Sequence, residues 1–118
     1  MTPTSGTVRL DFTDGAPREV PAEYFGPLCI HESCDHAGKW NVTEPSTGSA
    51  LIRYLTHEHA RKLAAAAQSW EPWKKIKGNA HNLSAEERLE LAVNFASALT
   101  RLKIPFTFDG KHFSGVVV

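Results

Sequence analysis

The 118-residue chain lacks the sequence features of membrane-spanning and secreted proteins. No run approaches the roughly 18 apolar residues needed to cross a bilayer, so no transmembrane helix is predicted. Its N-terminus has no charged region followed by an apolar one, so no secretory signal peptide is expected. Only two cysteines are present. Without an export signal they are typical of reduced thiols, which predicts a cytoplasmic location.

An excess of charge of either sign is also missing. Thirteen Lys and Arg residues stand against thirteen Asp and Glu residues, a formal net charge of zero. Proteins that bind nucleic acid by neutralising phosphates usually carry a basic excess, so direct nucleic-acid binding is not favoured. A Gly-rich phosphate loop, a nucleophile elbow and a paired-carboxylate motif are absent as well, which favours a non-enzymatic role.

Apolar and polar residues alternate with the period of β-strands over much of the first half. The length and the 42% apolar content predict a single domain over residues 1–118. The predicted strands cover residues 7–12, 28–31, 39–44 and 49–55. Asp14-Gly15 predicts a tight turn, and Pro17 and Pro21 predict an edge strand or extended arm after it.

The same alternation predicts which side chains share a face of the sheet. Leu28 and Ile30 are expected on one face, and Cys29 and His31 on the other. Trp40, expected to be the most buried tryptophan, shares a face with Val42. In the last strand of this group, Ile52 and Tyr54 are expected on one side, with Leu51 and Leu55 on the other.

Two helices and a hairpin are predicted in the second half. Thr56 is a suitable N-cap for a helix running to about Trp70, and residues 70–83 are predicted to form a loop. The capping box Ser84-x-x-Glu87 begins a second helix that ends before Pro105. An Asp109-Gly110 turn then joins Phe106 and Phe108 to residues 111–113. The prediction is an α+β fold, in which two helices pack on one face of a mostly antiparallel sheet built from a meander plus the C-terminal hairpin.

Four potential zinc ligands lie within eight residues: Cys29, His31, Cys34 and His36. Thiolate and imidazole are the preferred ligands of tetrahedral zinc, so this cluster is the candidate metal site. His57 and His59 are further potential ligands. The spacing matches none of the common zinc patterns. The alternative is a small buried cysteine with surface histidines in a turn, and no other cofactor is expected.

A metal-dependent hydrolase or nuclease is a second alternative. Its bases or ligands would come from His31, His36, His57 and His59, with Glu58 or Glu32 as the carboxylate.

Aromatic and basic residues are mixed in the predicted 70–83 loop, at Trp70, Trp73, Lys74, Lys75 and Lys77. Such a mixture suits a protein hot spot and also single-stranded nucleic acid. Trp70 lies on the apolar stripe of the first helix and is expected in the core. Trp73 is therefore the candidate exposed anchor.

One segment resembles a group of small uncharacterised phage and prophage proteins. These proteins carry a histidine-bearing strand, a segment W-x-V-T-H-x-x-T-G and then a helix. Here the match covers roughly residues 26–67 and rests on His31, Trp40-x-Val42-Thr43 and Thr47-Gly48, with Glu44 in place of the second histidine.

The resemblance implies a phage or mobile-element setting of the anti-CRISPR or anti-defence type. It predicts a small interaction protein that binds and inhibits or modulates a bacterial host protein or ribonucleoprotein complex. Loops on a rigid scaffold carry most binding groups, so the expected surface comprises the 32–38 turn, the 71–82 loop and the C-terminal hairpin with His112.

Overall fold

The alternating segments form a seven-stranded sheet in the computed structural model, which describes residues 3–10, 17–33, 36–79, 82–110 and 112–116. The strands are β1 (Thr4–Leu10), β2 (Arg18–Phe25), β3 (Leu28–Glu32), β4 (Trp40–Glu44), β5 (Ser49–Leu55), β6 (Phe106–Phe108) and β7 (Phe113–Gly115). The helices are α1 (His57–Ala67), α2 (Pro72–Ile76) and α3 (Ala85–Arg101). The predicted Asp14-Gly15 turn, Cys34 and Lys111 lie outside the described residues.

The sheet order is β1-β2-β3-β4-β5-β7-β6. Neighbouring strands are antiparallel except for β5 and β7, which run parallel with Ile52 beside Phe113. The predicted meander and the α+β class are confirmed, and the C-terminal hairpin extends the sheet. Pro21 lies opposite Thr7 of β1, while β2 pairs with β3 only from Glu23 to Phe25. The predicted edge strand is therefore wrong, because β2 lies between β1 and β3, and Pro21 is tolerated in a stretch where its missing N–H breaks no ladder to β3.

The two faces of the sheet bury different residues. On the first face, Leu28, Ile30, Val42 and Ile52 join the main core beneath α1 and α3. Cys29 faces the other way and packs with Val8, Leu10 and Ala22 in a smaller cluster. The predicted alternation along β3 is therefore confirmed.

The predicted alternation along β5 is wrong because this strand contains irregular pairing. Val42 pairs with Ile52 and Trp40 with Leu55, so three steps along β5 match two along β4. Tyr54 has φ of 64°, in the left-handed region that β-strands do not use. The extra residue turns Leu55 onto the face of Ile52, and both are in the main core. The backbone of Tyr54 also approaches β7 so closely that a Cβ built on Gly115 would lie 2.2 Å from its carbonyl oxygen.

The predicted helix starts are confirmed by their caps. The Thr56 hydroxyl accepts a hydrogen bond from the His59 amide at 3.1 Å. Ser84 and Glu87 form the reciprocal capping box, with both hydrogen bonds at 3.1 Å. The buried stripe of α1 is mostly alanine, which lets the helix lie close to β3, β4 and β5. None of the described helices is long and apolar enough to span a membrane.

The predicted loop over 70–83 is corrected by α2, a short helix inside it. Pro72 occupies its first turn, where a missing N–H removes no helical hydrogen bond. Trp73 and Ile76 point into the main core. Trp73 is only 6% exposed, whereas Trp40 is half-buried, so the expectation that Trp40 is the most buried tryptophan is wrong.

Candidate functional site

Cys29 is fully buried on the second face of the sheet. Burial, and to a lesser extent the Glu44 carboxylate, raises the pKa of its thiol to about 12. This environment favours the neutral thiol, whereas the thiolate is the form that binds zinc. Glu44 itself is 5% exposed and accepts hydrogen bonds from the Ser46 amide at 3.0 Å and the Thr47 amide at 2.9 Å. It holds the β4–β5 turn.

His31 lies on the same face and uses both of its ring nitrogens. Nε2 is 2.8 Å from the Thr43 hydroxyl, and Nδ1 is 3.2 Å from the Glu32 carbonyl oxygen. Burial lowers the pKa of His31, which keeps the imidazole neutral. The His36 ring packs against Tyr54 with ring centroids 4.4 Å apart and the ring planes tilted by 54°.

No group of three potential metal ligands lies together among the described residues. Cys34 falls outside them, so the zinc hypothesis stays a prediction. Metal analysis of untagged protein tests it, and substoichiometric zinc would end it. Three of the histidines named for a hydrolase occupy separate settings: His31 is hydrogen-bonded to Thr43, His36 packs against Tyr54, and His57 is hydrogen-bonded to Glu23.

The expectation of an exposed Trp73 anchor is wrong. Its indole packs in the core, and Nε1 donates a hydrogen bond of 2.6 Å to the Ala67 carbonyl oxygen. This bond satisfies a carbonyl at the end of α1. Trp70, expected in the core, is half-buried and meets Phe95 edge-to-face at 5.0 Å. Trp73 is therefore the more deeply buried of the two tryptophans, whereas Trp70 packs against the edge of the main core.

The basic residues near Trp73 are exposed, as is His112 in the hairpin turn. Lys74 pairs with Glu71 at 3.3 Å, and Lys75 pairs with Glu87. The His112 amide donates to the Asp109 carboxylate at 2.7 Å, which closes the turn between β6 and β7. Whether these residues contact a partner stays a prediction.

A groove lies at the N-terminal end of α1, and we call it the N-groove. Its volume is about 230 Å³. Its lining residues come from the position before β4, the end of β5, the start of α1, and the C-terminal hairpin with the residues flanking it. They are Lys39, Tyr54, Leu55, Thr56, His59, Pro105, Gly115 and Val116. Val116 is 46% exposed. One segment predicted to form a binding surface, the C-terminal hairpin, thus lines the groove through Gly115. The predicted 32–38 turn is joined to the groove only through the next residue, Lys39, whose amide donates a hydrogen bond of 3.1 Å to the His36 carbonyl oxygen.

A polar cluster that sequence reasoning missed lies on the first turn of α1. His57 Nε2 is 2.5 Å from a Glu23 carboxylate oxygen, and Arg61 Nε is 3.7 Å from the other. The His57 ring also stacks on Trp40 at 4.3 Å. Glu23 and His57 are 34 positions apart, so no local pattern could have joined them. The cluster ties β2 and β4 to α1.

A second concavity, the C-cleft, lies near the C-terminal end of α1. Its volume is about 420 Å³. It is bordered by the 69–72 connection, α2 and the first half of α3, and its lining residues include Trp70, Glu71, Pro72, Lys75, Glu87, Glu90 and Leu91. Sequence reasoning named the 71–82 side of this cleft and missed the α3 side.

Comparison of the chain with models of protein families, with curated proteins and with solved structures finds no match.

Proposed function

We propose that this chain is a protein-interaction module that binds a segment of a partner polypeptide at the N-groove. The single observation that carries the proposal is the groove itself, which the C-terminal hairpin lines through Gly115 and which Lys39 lines directly after the predicted 32–38 turn. The groove has a predominantly apolar surface, with Lys39 and His59 among its few polar groups. Apolar concavities with a few placed polar groups are typical binding sites.

The adjoining sheet edge favours an extended polypeptide as the occupant. β6 is the last strand of the sheet, so its outer backbone N–H and C=O groups are open to a further strand. Pro105 immediately precedes β6 and lines the N-groove. A strand added to β6 would therefore run past the groove and place an apolar side chain in it, the pattern of β-strand addition.

We propose that the partner polypeptide is a component of a bacterial defence complex. This part rests on the resemblance of residues 26–67 to small phage and prophage proteins. The mainly apolar lining of the N-groove supports a protein segment as the target more than bare nucleic acid.

Site-specific photocrosslinking tests the binding site. A photoreactive residue at position 116 should capture a partner from bacterial lysate, and one at position 93 should not. Val93 is a matched control because it is the same residue type, is 56% exposed and lies on α3 outside the N-groove lining.

The captured partner would then be purified and its affinity measured by calorimetry. Val116→Asp should weaken binding at least about tenfold, the loss typical of a residue near the centre of an interface. Val93→Asp should leave the dissociation constant unchanged. Equal binding by Val116→Asp, or recovery of no partner that depends on position 116, would overturn the proposal.

A further inference from the structure

The C-cleft combines an aromatic wall with an acidic rim. Trp70, Pro72 and Leu91 supply apolar surface, and Glu71, Glu87 and Glu90 supply carboxylates. Among the described residues that line the cleft, Lys75 is the only basic one. This composition contrasts with the N-groove, where the described lining residues include Lys39 and His59 and no carboxylate.

The three carboxylates are not equally engaged. Glu87 is paired with Lys75 and also closes the α3 capping box. Glu71 pairs with the exposed Lys74 across a single turn at 3.3 Å. Glu90 contributes to the raised pKa of Lys75 through its charge, but no ion pair or hydrogen bond joins it to another residue in the described part of the chain. The rim therefore holds more negative charge than its own lysine balances.

Trp70 is held firmly at one side of the cleft. Phe95, buried in the main core, meets its ring at an interplanar angle of 61°. Because Trp70 remains half-buried and lines the cleft, part of its ring is available for contact. A rigid indole loses little conformational freedom on binding, which is why tryptophan is enriched at hot spots.

We propose that the C-cleft binds an arginine side chain of a partner protein. A guanidinium group is planar and stacks on an indole, and its N–H groups pair with carboxylates in a two-pronged geometry. Trp70 would supply the stacking surface and Glu90 the carboxylate, with Glu71 beside it. The charge complementarity excludes a phosphate-rich ligand, because the rim would repel it. This site is separate from the N-groove and does not depend on the function proposed there.

Titration with small probes, followed by amide and indole NMR shifts, tests the proposal without a known partner. The probe is N-acetyl-arginine amide, and its neutral control is N-acetyl-citrulline amide, which has nearly the same shape. Arginine should give saturable shifts at Trp70 and Glu90, with at least fivefold tighter binding than citrulline. Equal shifts from both probes would overturn the proposal.

Variants locate the binding site. Glu90→Gln should raise the dissociation constant for the arginine probe at least fivefold while the spectrum stays folded. Glu86→Gln, on the same helix outside the cleft lining, should leave it unchanged. Equal effects of the two variants would show that the probe responds only to overall charge and would overturn the assignment to the cleft.

Two further probes decide the identity of the occupant. N-acetyl-lysine amide should bind several-fold more weakly than the arginine probe, since an ammonium group neither stacks nor pairs in a fork. Tighter binding of this lysine probe would overturn the choice of arginine. A short single-stranded oligonucleotide should leave the cleft signals in place, and shifts at Trp70 and Glu90 would overturn the proposal of a cationic occupant.

Discussion

The two ends of α1 present opposite chemistry. At its N-terminal end, the N-groove is mainly apolar and includes Lys39 and His59. At its C-terminal end, the C-cleft has an indole wall and three carboxylates. The formal net charge of zero therefore adds together surfaces of different charge, and it describes neither the N-groove nor the C-cleft. The comparison shows that overall charge excludes a partner class only when the charge is spread evenly.

The ends also differ in what holds them together. Beside the C-cleft, α2 is held to the main core by the buried Trp73. The first turn of α1 is instead joined to the sheet by partly exposed polar groups. Substitutions at the two ends should consequently differ in size.

The largest effect is expected at the C-terminal end from Trp73→Ala. It removes a buried indole and its hydrogen bond to Ala67, so the free energy of unfolding should fall by about 3–5 kcal/mol. Denaturant unfolding measures the loss. Lys74→Ala, at the exposed neighbouring position, should change stability by less than about 0.5 kcal/mol. A loss below about 1 kcal/mol for Trp73→Ala would contradict the core position of this side chain.

A smaller effect is expected from Ser84→Ala on the α3 side of the C-cleft. The change removes the hydroxyl that accepts from the Glu87 amide, and such caps contribute about 1 kcal/mol. Ser97→Ala is the control, because Ser97 is exposed within α3 and alanine has the higher helix propensity. Thermal unfolding of both variants checks the difference, and equal melting temperatures would argue against the cap.

At the N-terminal end, the Glu23–His57 pair should contribute less. Their side chains are 24% and 42% exposed, and exposed pairs contribute about 0–1 kcal/mol. A double-mutant cycle with Glu23→Gln and His57→Gln measures the coupling at neutral pH. A coupling above about 2 kcal/mol would show that the first turn of α1 is held as strongly as a buried site.

The smallest effect concerns the titration of Glu87 in the C-cleft. The hydrogen bond from Lys75, followed by the backbone of Ser84, lowers the pKa of Glu87 from 4.5 to about 2. Because the folded value lies below the unfolded one, its stabilising contribution is present above the unfolded pKa and is lost as the pH falls through about 2.

Carboxylate NMR follows this titration directly. Lys75→Ala should move the midpoint of Glu87 upward, toward its ordinary value. Lys74→Ala should leave the midpoint in place, because Lys74 pairs with Glu71 instead. An unmoved midpoint in Lys75→Ala would assign the shift to the capping box alone.

Elements that depend on a short local stretch of sequence were predictable. β3 and β4 follow from alternation, and both helix starts follow from Thr56 and Ser84. The bulge at Tyr54 has no local signal, since its positive φ depends on how β5 pairs with β4 and β7. Trp73 was misplaced because residues 70–83 were predicted as a loop, although Pro72 within them is a residue type that also begins helices.

The candidate sites depend on long-range contacts and were only partly predictable. The hairpin was named as a binding segment, but its position beside Tyr54 and Lys39 in the N-groove follows from the parallel pairing of β5 with β7. The C-cleft joins Trp70 to residues of α3, and Glu23 meets His57 across 34 positions. Periodicity describes each element alone and says nothing about which elements become neighbours.

The parallel pairing of β5 and β7 also orders events during synthesis. β5 leaves the ribosome with β4 already available, but its other neighbour follows only after three helices and β6. Until Phe113 arrives beside Ile52, the growing chain carries an apolar strand with an open edge. Such edges recruit other chains, so this stage of translation is the period in which the nascent protein is most exposed to misassembly and to chaperones.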